Sequence, residues 1–225
     1  MIDWWGPILV EYYGGSEGGS ATLINSSEWL EHPGSVGRVM SGTIRITDDN
    51  TGRELPSGSI GTVRFDSPAR PVRSHLDDDK SRNAYDANGW PTVGDLGYVD
   101  EDSYLYLADR MSYTIISGGV NIYPQETEDV LLRHPAIADA AVFGIPDAEY
   151  GEQVKAAVEL LDPTMAGPEM ETALISYCRD HLAAYKCPHS VDFEAQLPRS
   201  SAGKLYKRRL RDKYWPADHD LTEKL

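Results

Sequence analysis

The chain has 225 residues, 40% of them hydrophobic, enough to bury a core in one large or two modest domains. Its 36 acidic and 21 basic side chains leave a formal charge of -15, which excludes a broad nucleic-acid or anionic-membrane surface as the main partner. No stretch approaches the roughly 18 apolar residues of a membrane-spanning helix, and the opening MIDWWGPILVEYYGG has no basic segment followed by a cleavable apolar core, so a cytoplasmic protein is expected.

Taken in order, the short apolar run from Ile8 to Tyr12 predicts a buried strand that empties into a tight loop at Gly14, Gly15, Gly18 and Gly19. Between Pro33 and Arg110 the runs TIRIT, IGTVRF and YLYLADR alternate and are broken by turn clusters such as DDNTG and DEDS, a largely β texture. After Arg110 the texture changes. TIIS reads as a strand, and Pro124 opens a helix running to about Arg133, where HP stops it. AIADAAVFGI and VKAAVEL are further strands. Met170, Leu174, Cys178 and Leu182 recur every four residues after Pro168, which predicts an amphipathic helix, and 207–215 reads as a short basic one. The second half is a compact α+β unit.

A site for a phosphorylated ligand needs groups that hold a sugar, a metal ion beside phosphate, and a cation against phosphate charge. Four segments supply candidates. In YYGGSEGG, Glu17 follows a glycine turn and a hydroxyl, suited to an oxygen ligand for magnesium beside phosphate, or equally to a solvated loop carboxylate. In NGWPTVGDLGYVDEDSYLYLADR, Asp95 can take vicinal ribose hydroxyls and Arg110 the same sugar or a phosphate; singly, they read as a turn former and a surface ion-pair residue. SGGVNIYPQE places Gly118 and Gly119 where a backbone can approach a narrow ligand, and LPRSSAGKLYKRRL sets Lys204 on a small-residue loop.

The order and spacing of these segments resemble the adenylate-forming superfamily of acyl- and aryl-CoA synthetases, firefly luciferase and peptide-synthetase adenylation domains. The resemblance spans nearly the whole chain. It implies an α+β fold: a β-rich, distorted barrel-like remnant of the large adenylation domain over 1–109, then a small α+β lid over 110–225, with a hinge near 109–112. YGGSE resembles the motif in which Tyr13 stacks on adenine, Gly14, Gly15 and Ser16 line the nucleotide and acyl pocket, and Glu17 binds Mg2+. TVGDLGY implies that Asp95 holds the ribose, and ADR that Arg110 is a second ribose contact with Ser112 as the pivot. LPRSSAGK implies that Lys204 bridges the acyl carboxylate and the α-phosphate; Gly118, Gly119 and Lys186 fall to CoA. The reaction implied is acyl-AMP formation from ATP and a fatty, steroid or aromatic acid, followed by transfer to CoA.

Ser112 and Tyr113 depart from the charged residues common at the hinge, and SPARPVRSHLDDDKS is a weak version of its family segment. The phosphate-gripping Ser/Thr/Gly-rich loop has no counterpart in these 225 residues, so the chain alone is expected not to form acyl-adenylate and to self-associate through an uncovered apolar face around Trp4, Trp5, Ile8 and Leu9. The alternatives are a truncated, non-catalytic binding or interaction module, or another adenylate-forming enzyme, of the peptide-synthetase or luciferase kind. The basic run from Arg199 to Lys213 suits either a solvated helix face or phosphate steering near Lys204. Cys178 and Cys187 read as structural thiols, and the six histidines have no zinc-site spacing.

Overall fold

A computed structural model describes residues 1–14, 20–48, 51–66, 85–86, 89–201 and 203–215. The chain divides into two compact units, Met1–Met111 and Ser112 onward. The architecture is α+β, and no helix among the described residues is long and apolar enough to cross a membrane.

The first unit is one antiparallel sheet of β1 (Val10–Gly14), β2 (Ala21–Asn25), β3 (Ser35–Val39), β4 (Thr43–Thr47), β5 (Gly61–Asp66), β6 (Thr92–Val99) and β7 (Leu105–Arg110). Its spatial order is β1-β2-β3-β7-β6-β5-β4. Ile46, Val63, Phe65 and Leu105 are sealed at its centre, with Tyr13, Val36 and Ile44 packed on them. TIRIT, IGTVRF and YLYLADR thus form β4, β5 and β7, each paired antiparallel through its backbone, with β5 buried along nearly its whole length.

Two short helices, α1 (Ile2–Trp5) and α2 (Ser26–Glu31), interrupt this β texture. The second has a reciprocal cap: Asn25 Oδ1 accepts from the amides of Ser27 and Glu28 at 2.9 and 3.0 Å, and Glu28 Oε2 accepts from the Asn25 amide at 3.1 Å. One expectation is corrected. The strand of the Ile8–Tyr12 region begins at Val10 and is exposed, not buried, with Ile8 67% and Tyr12 77% accessible. It lies at an edge of the sheet and pairs with β2; Tyr13 packs on the core, while Val10 and Tyr12 are left uncovered by the described residues.

The second unit is built on β8 (Ile115–Ser117), β9 (Val120–Ile122), β10 (Ile137–Asp147), β11 (Gly151–Leu160) and β12 (Ser190–Phe193), with α3 (Pro124–Leu131), α4 (Pro168–His181) and α5 (Lys207–Arg211). β10 and β11 form a long antiparallel hairpin, and β12 joins β11 in parallel. Both faces of the hairpin are covered. Ala140, Val142, Ala156 and Val158 face the core that holds Leu131 of α3 and Leu174 and Cys178 of α4. Ala141, Phe143 and Ala157 face Leu197 and Leu210 of α5. This period-2 division of an almost wholly apolar strand explains why AIADAAVFGI shows so little alternation.

α4 starts on Pro168, carries Glu169 and Glu171 in its first turn and Arg179 and His181 in its last, and buries Met170, Leu174 and Cys178. α3 ends at Leu131 and α5 at Arg211, a little short of the expected Arg133 and Trp215.

Candidate active site

In the first unit, the direct pairing of β6 with β7 sets Asp95 opposite Arg110. Gly94, just before Asp95, has φ +80, which glycine adopts without strain, and its amide donates to Thr92 Oγ1 at 3.0 Å. The TVGD segment is therefore a local kink that fixes where the Asp95 carboxylate points. The sheet also curls enough for Tyr13 in β1, with three strands between it and β6, to reach the same carboxylate.

Tyr13 Oη donates to Asp95 Oδ2 at 2.7 Å, and Arg110 Nε lies 3.2 Å from Oδ1. Asp95 is only 7% accessible, whereas the Arg110 side chain is half exposed. The Tyr13 phenol is held far above its ordinary value, first by burial and then by its hydrogen bond to Asp95 and that group's charge. It is therefore a permanent donor. A carboxylate offers about four acceptor positions, and among the described residues Tyr13 and Arg110 take one on each oxygen. The Tyr13 ring packs on Phe65, centroids 6.1 Å apart. Gly14 closes β1, while Gly15, Ser16 and the expected magnesium ligand Glu17 lie outside the described residues.

Ser112 sits in a one-turn 3-10 segment, Met111–Tyr113, at the start of the second unit. Gly118 and Gly119 are the two-residue turn of the β8–β9 hairpin, with φ of +57 and +80, the geometry of a tight primed hairpin turn. The Gly118 amide donates to the Tyr150 carbonyl at 2.8 Å, and a Cβ at Gly118 would stand 3.1 Å from the Tyr150 ring. A Cβ at Gly119 would meet nothing within 4 Å, so the tip is open on that side.

Lys186 pairs with Glu126 in the first turn of α3. Lys204 is exposed on a turn closed by the Arg199–Leu205 bridge. Among the described residues, no hydrogen bond or ion pair joins Lys204 to Lys186 or to the glycine turn. The structure thus brings Tyr13, Asp95 and Arg110 together, with Gly14 next to Tyr13 in β1, and puts Ser112, Gly118, Gly119, Lys186 and Lys204 on separate elements of the second unit.

The basic run is mostly spent on protein partners. Lys207 Nζ lies 2.7 Å from Glu128 Oε1, with both side chains almost completely buried, and 5.2 Å from the centre of the Tyr113 ring. Glu128 Oε1 also accepts from the Val142 amide at 2.6 Å. Arg211 faces Glu152 at 3.6 Å, Arg199 pairs with Asp139, and Lys213 with Glu194. The buried Lys207 and Arg211 were not singled out from the sequence. The available signal is the spacing of Lys207, Leu210 and Arg211, one face of a helical turn.

A groove of about 430 Å³ beside α1, β1 and α2 is lined by Ile2, Leu9, Trp29 and Leu30 and contains none of the candidate residues.

Residues 126–204 match the AMP-binding enzyme C-terminal domain. The chain is 33% identical over 207 residues to a long-chain-fatty-acid–CoA ligase of Escherichia coli O6:H1, covering 92% of this chain and 36% of the relative. It is 40% identical over 168 residues to a fatty acid–acyl-carrier-protein ligase of Streptomyces coeruleorubidus, covering 74% of this chain and 31% of that one. The o-succinylbenzoate CoA synthetase of Bacillus subtilis, solved with its acyl-adenylate intermediate, superposes with a TM-score of 0.76 at 35% identity, over 92% of this chain and 41% of that one. The chain spans about a third of the length of these curated relatives. It belongs to the adenylate-forming, AMP-binding enzyme superfamily, whose C-terminal region it carries.

Proposed function

We propose that this chain supplies the ribose site and the lid of an ATP-dependent acyl-CoA synthetase acting on a fatty, steroid or aromatic acid. The observation that carries the reading is the Tyr13–Asp95–Arg110 cluster, a nearly buried carboxylate oriented from both sides. A vicinal diol donates two hydroxyls, the complement of a carboxylate's acceptor oxygens. Arg110, half exposed, reaches toward the same ligand.

In the first half-reaction the acid's carboxylate attacks the α-phosphorus and pyrophosphate leaves. In the second, a thiol attacks the acyl carbon and AMP leaves. Asp95 and Arg110 hold the sugar in both. Lys204, a cation on an ordered turn, serves the first by gaining more from the transition-state phosphate charge than from the ground state. Movement of the lid about Ser112 then withdraws Lys204 and brings the Gly118–Gly119 tip against the incoming pantetheine. Lys186 attends the CoA nucleotide, at the cost of its pairing with Glu126. Glu17 would hold magnesium, which when bound would supply positive charge against the phosphates.

Calorimetric titration of the chain with a non-hydrolysable acyl-adenylate analogue tests the ribose site. Asp95→Asn should weaken binding by a factor of ten or more, since hydrogen bonds to a charged group contribute about 1.5–3 kcal/mol. Equal affinity of wild type and variant would remove Asp95 from the site. In a preparation competent for acyl-adenylate formation, Lys204→Ala should lose about two to three decades of that step and leave thioester formation from supplied acyl-adenylate largely intact. A second reading keeps the adenylation chemistry but changes the acceptor to a carrier-protein thiol. The 40% identity to a carrier-protein ligase favours it, and competing CoA against a holo-carrier protein decides between them.

A further inference from the structure

The turn that presents Lys204 is short, exposed and built from small residues, yet Ser200, Gly203 and Lys204 are tied to one another by hydrogen bonds. The Ser200 amide donates to the Lys204 carbonyl at 2.8 Å, the Gly203 amide to the Ser200 carbonyl at 2.9 Å, and the Lys204 amide to Ser200 Oγ at 3.0 Å. These bonds are internal to the turn. They shape it but do not hold it to the rest of the unit.

Apolar anchoring comes from the flanks, where Leu197 is buried and Leu205 packs against the same cluster as Phe143 and Leu210. Among the described residues, the Arg199 side chain ties the tip to the sheet. Arg199 donates from Nη1 to the Gly203 carbonyl at 2.7 Å, and from Nε at 2.9 Å and Nη2 to Asp139 Oδ2. Asp139 stands where the β10–β11 register shifts. Its Oδ1 accepts from the Ala140 amide at 3.0 Å, which turns Oδ2 toward Arg199.

We infer that Arg199 is a positioning residue for Lys204: its guanidinium forks between Asp139 on β10 and the carbonyl next to Lys204, fixing the turn to the lid's sheet. The inference rests on the reading of Lys204 as the adenylation lysine. The reason is geometric. An exposed ion pair by itself contributes little stability, but a planar guanidinium with donors at fixed angles transmits the position of one acceptor to another, which an ammonium cannot do. A cation meant to meet a developing phosphate charge must be held in place before the reaction, and a misplacement of about 1 Å costs roughly a hundredfold.

Residue-resolved amide hydrogen exchange on the 225-residue chain tests the anchoring without activity. Arg199→Ala should speed exchange at the Gly203 and Lys204 amides about tenfold, with the Val142 and Ala157 amides of the sheet unchanged. Arg199→Lys keeps the charge but cannot fork, so it should match Arg199→Ala at the turn, and Asp139→Asn should shift the same amides by less. Unchanged exchange at Gly203 and Lys204, or a uniform rise through the whole unit, overturns the inference.

In a preparation competent for acyl-adenylate formation, Arg199→Ala should lower kcat of that step roughly ten- to a hundredfold, with KM for ATP and acid within about twofold and thioester formation untouched. Equal loss in both half-reactions overturns the inference as well. If the exchange result holds but Lys204→Ala adenylates normally, the role of Lys204 fails while the anchoring of its turn by Arg199 stands.

Discussion

Asp95 and Glu128 are both buried carboxylates, and they differ in the company they keep. Asp95 faces a neutral phenol and a half-exposed guanidinium. Glu128 faces Lys207 with neither side chain open to solvent, and also accepts from the Val142 amide. Such a pair contributes little net stability when complete, because desolvation offsets the attraction, but breaking it strands a buried charge. Glu128→Ala should therefore destabilise the second unit by roughly 3–5 kcal/mol, read as a shift of its denaturant midpoint. Joint replacement of Glu128 and Lys207 by Met should cost much less. A loss for the double variant equal to that of Glu128→Ala would show that packing, not stranded charge, sets the effect.

At the scale of elements, α4 is where sequence spacing and burial agree most closely. Met170, Leu174 and Cys178 form its inner face, and the caps complement the helix dipole at both ends. Burial, with Cys187 close by as a second contribution, pushes the Cys178 thiol up to about 12. The sign follows directly. A thiol raised in the folded state supports folding in full below its ordinary value near 9, and that contribution fades as pH rises toward 12. Iodoacetamide at pH 8 should consequently label Cys178 only through unfolding, at a rate that tracks denaturant. Fast labelling of the folded chain would mean that α4 opens on its own.

The β8–β9 hairpin shows the opposite economy. Its two glycines accept positive φ, and one of them stands against the Tyr150 ring, so the tip is narrow and held at one side. Gly119→Leu should spare adenylation and depress thioester formation, measured as separate half-reactions. Equal loss of both would detach the hairpin from the second step.

Across the whole molecule, the first unit exposes Met1, Trp4, Trp5, Ile8, Val10, Tyr12, Leu30 and Met40. They lie on or next to α1, α2, β1 and β3, with the Trp4 and Trp5 rings in contact, and exposed apolar side chains of this number favour association. Sedimentation velocity of the 225-residue chain should show association that rises with concentration and is relieved by Trp4→Ser with Tyr12→Ser. A single monomeric boundary at high concentration would count against it. The formal charge of -15 opposes this association, so added salt should strengthen it.

Chemistry that depends on neighbours in the chain was legible in the sequence: the β4, β5 and β7 alternation, the α4 stripe, the proline starts, and motif order sufficient to place the family. The reciprocal cap of α2 was equally local, in NSSE, and passed unread. Contacts that depend on distant residues were not legible. Nothing near Tyr13 announces that it donates to Asp95, 82 residues on, because that contact exists only once the sheet curls. The basic run over 199–213 suited either a solvated helix face or phosphate steering, and neither reading foresaw that packing draws Lys207 and Arg211 inward to Glu128 and Glu152 and Arg199 across to Asp139. Local periodicity is set by bonds along the chain, so sequence determines it. Whether a charge is solvated, paired or aimed at a ligand depends on which distant groups folding brings within a few ångströms, and the tertiary structure alone decides that.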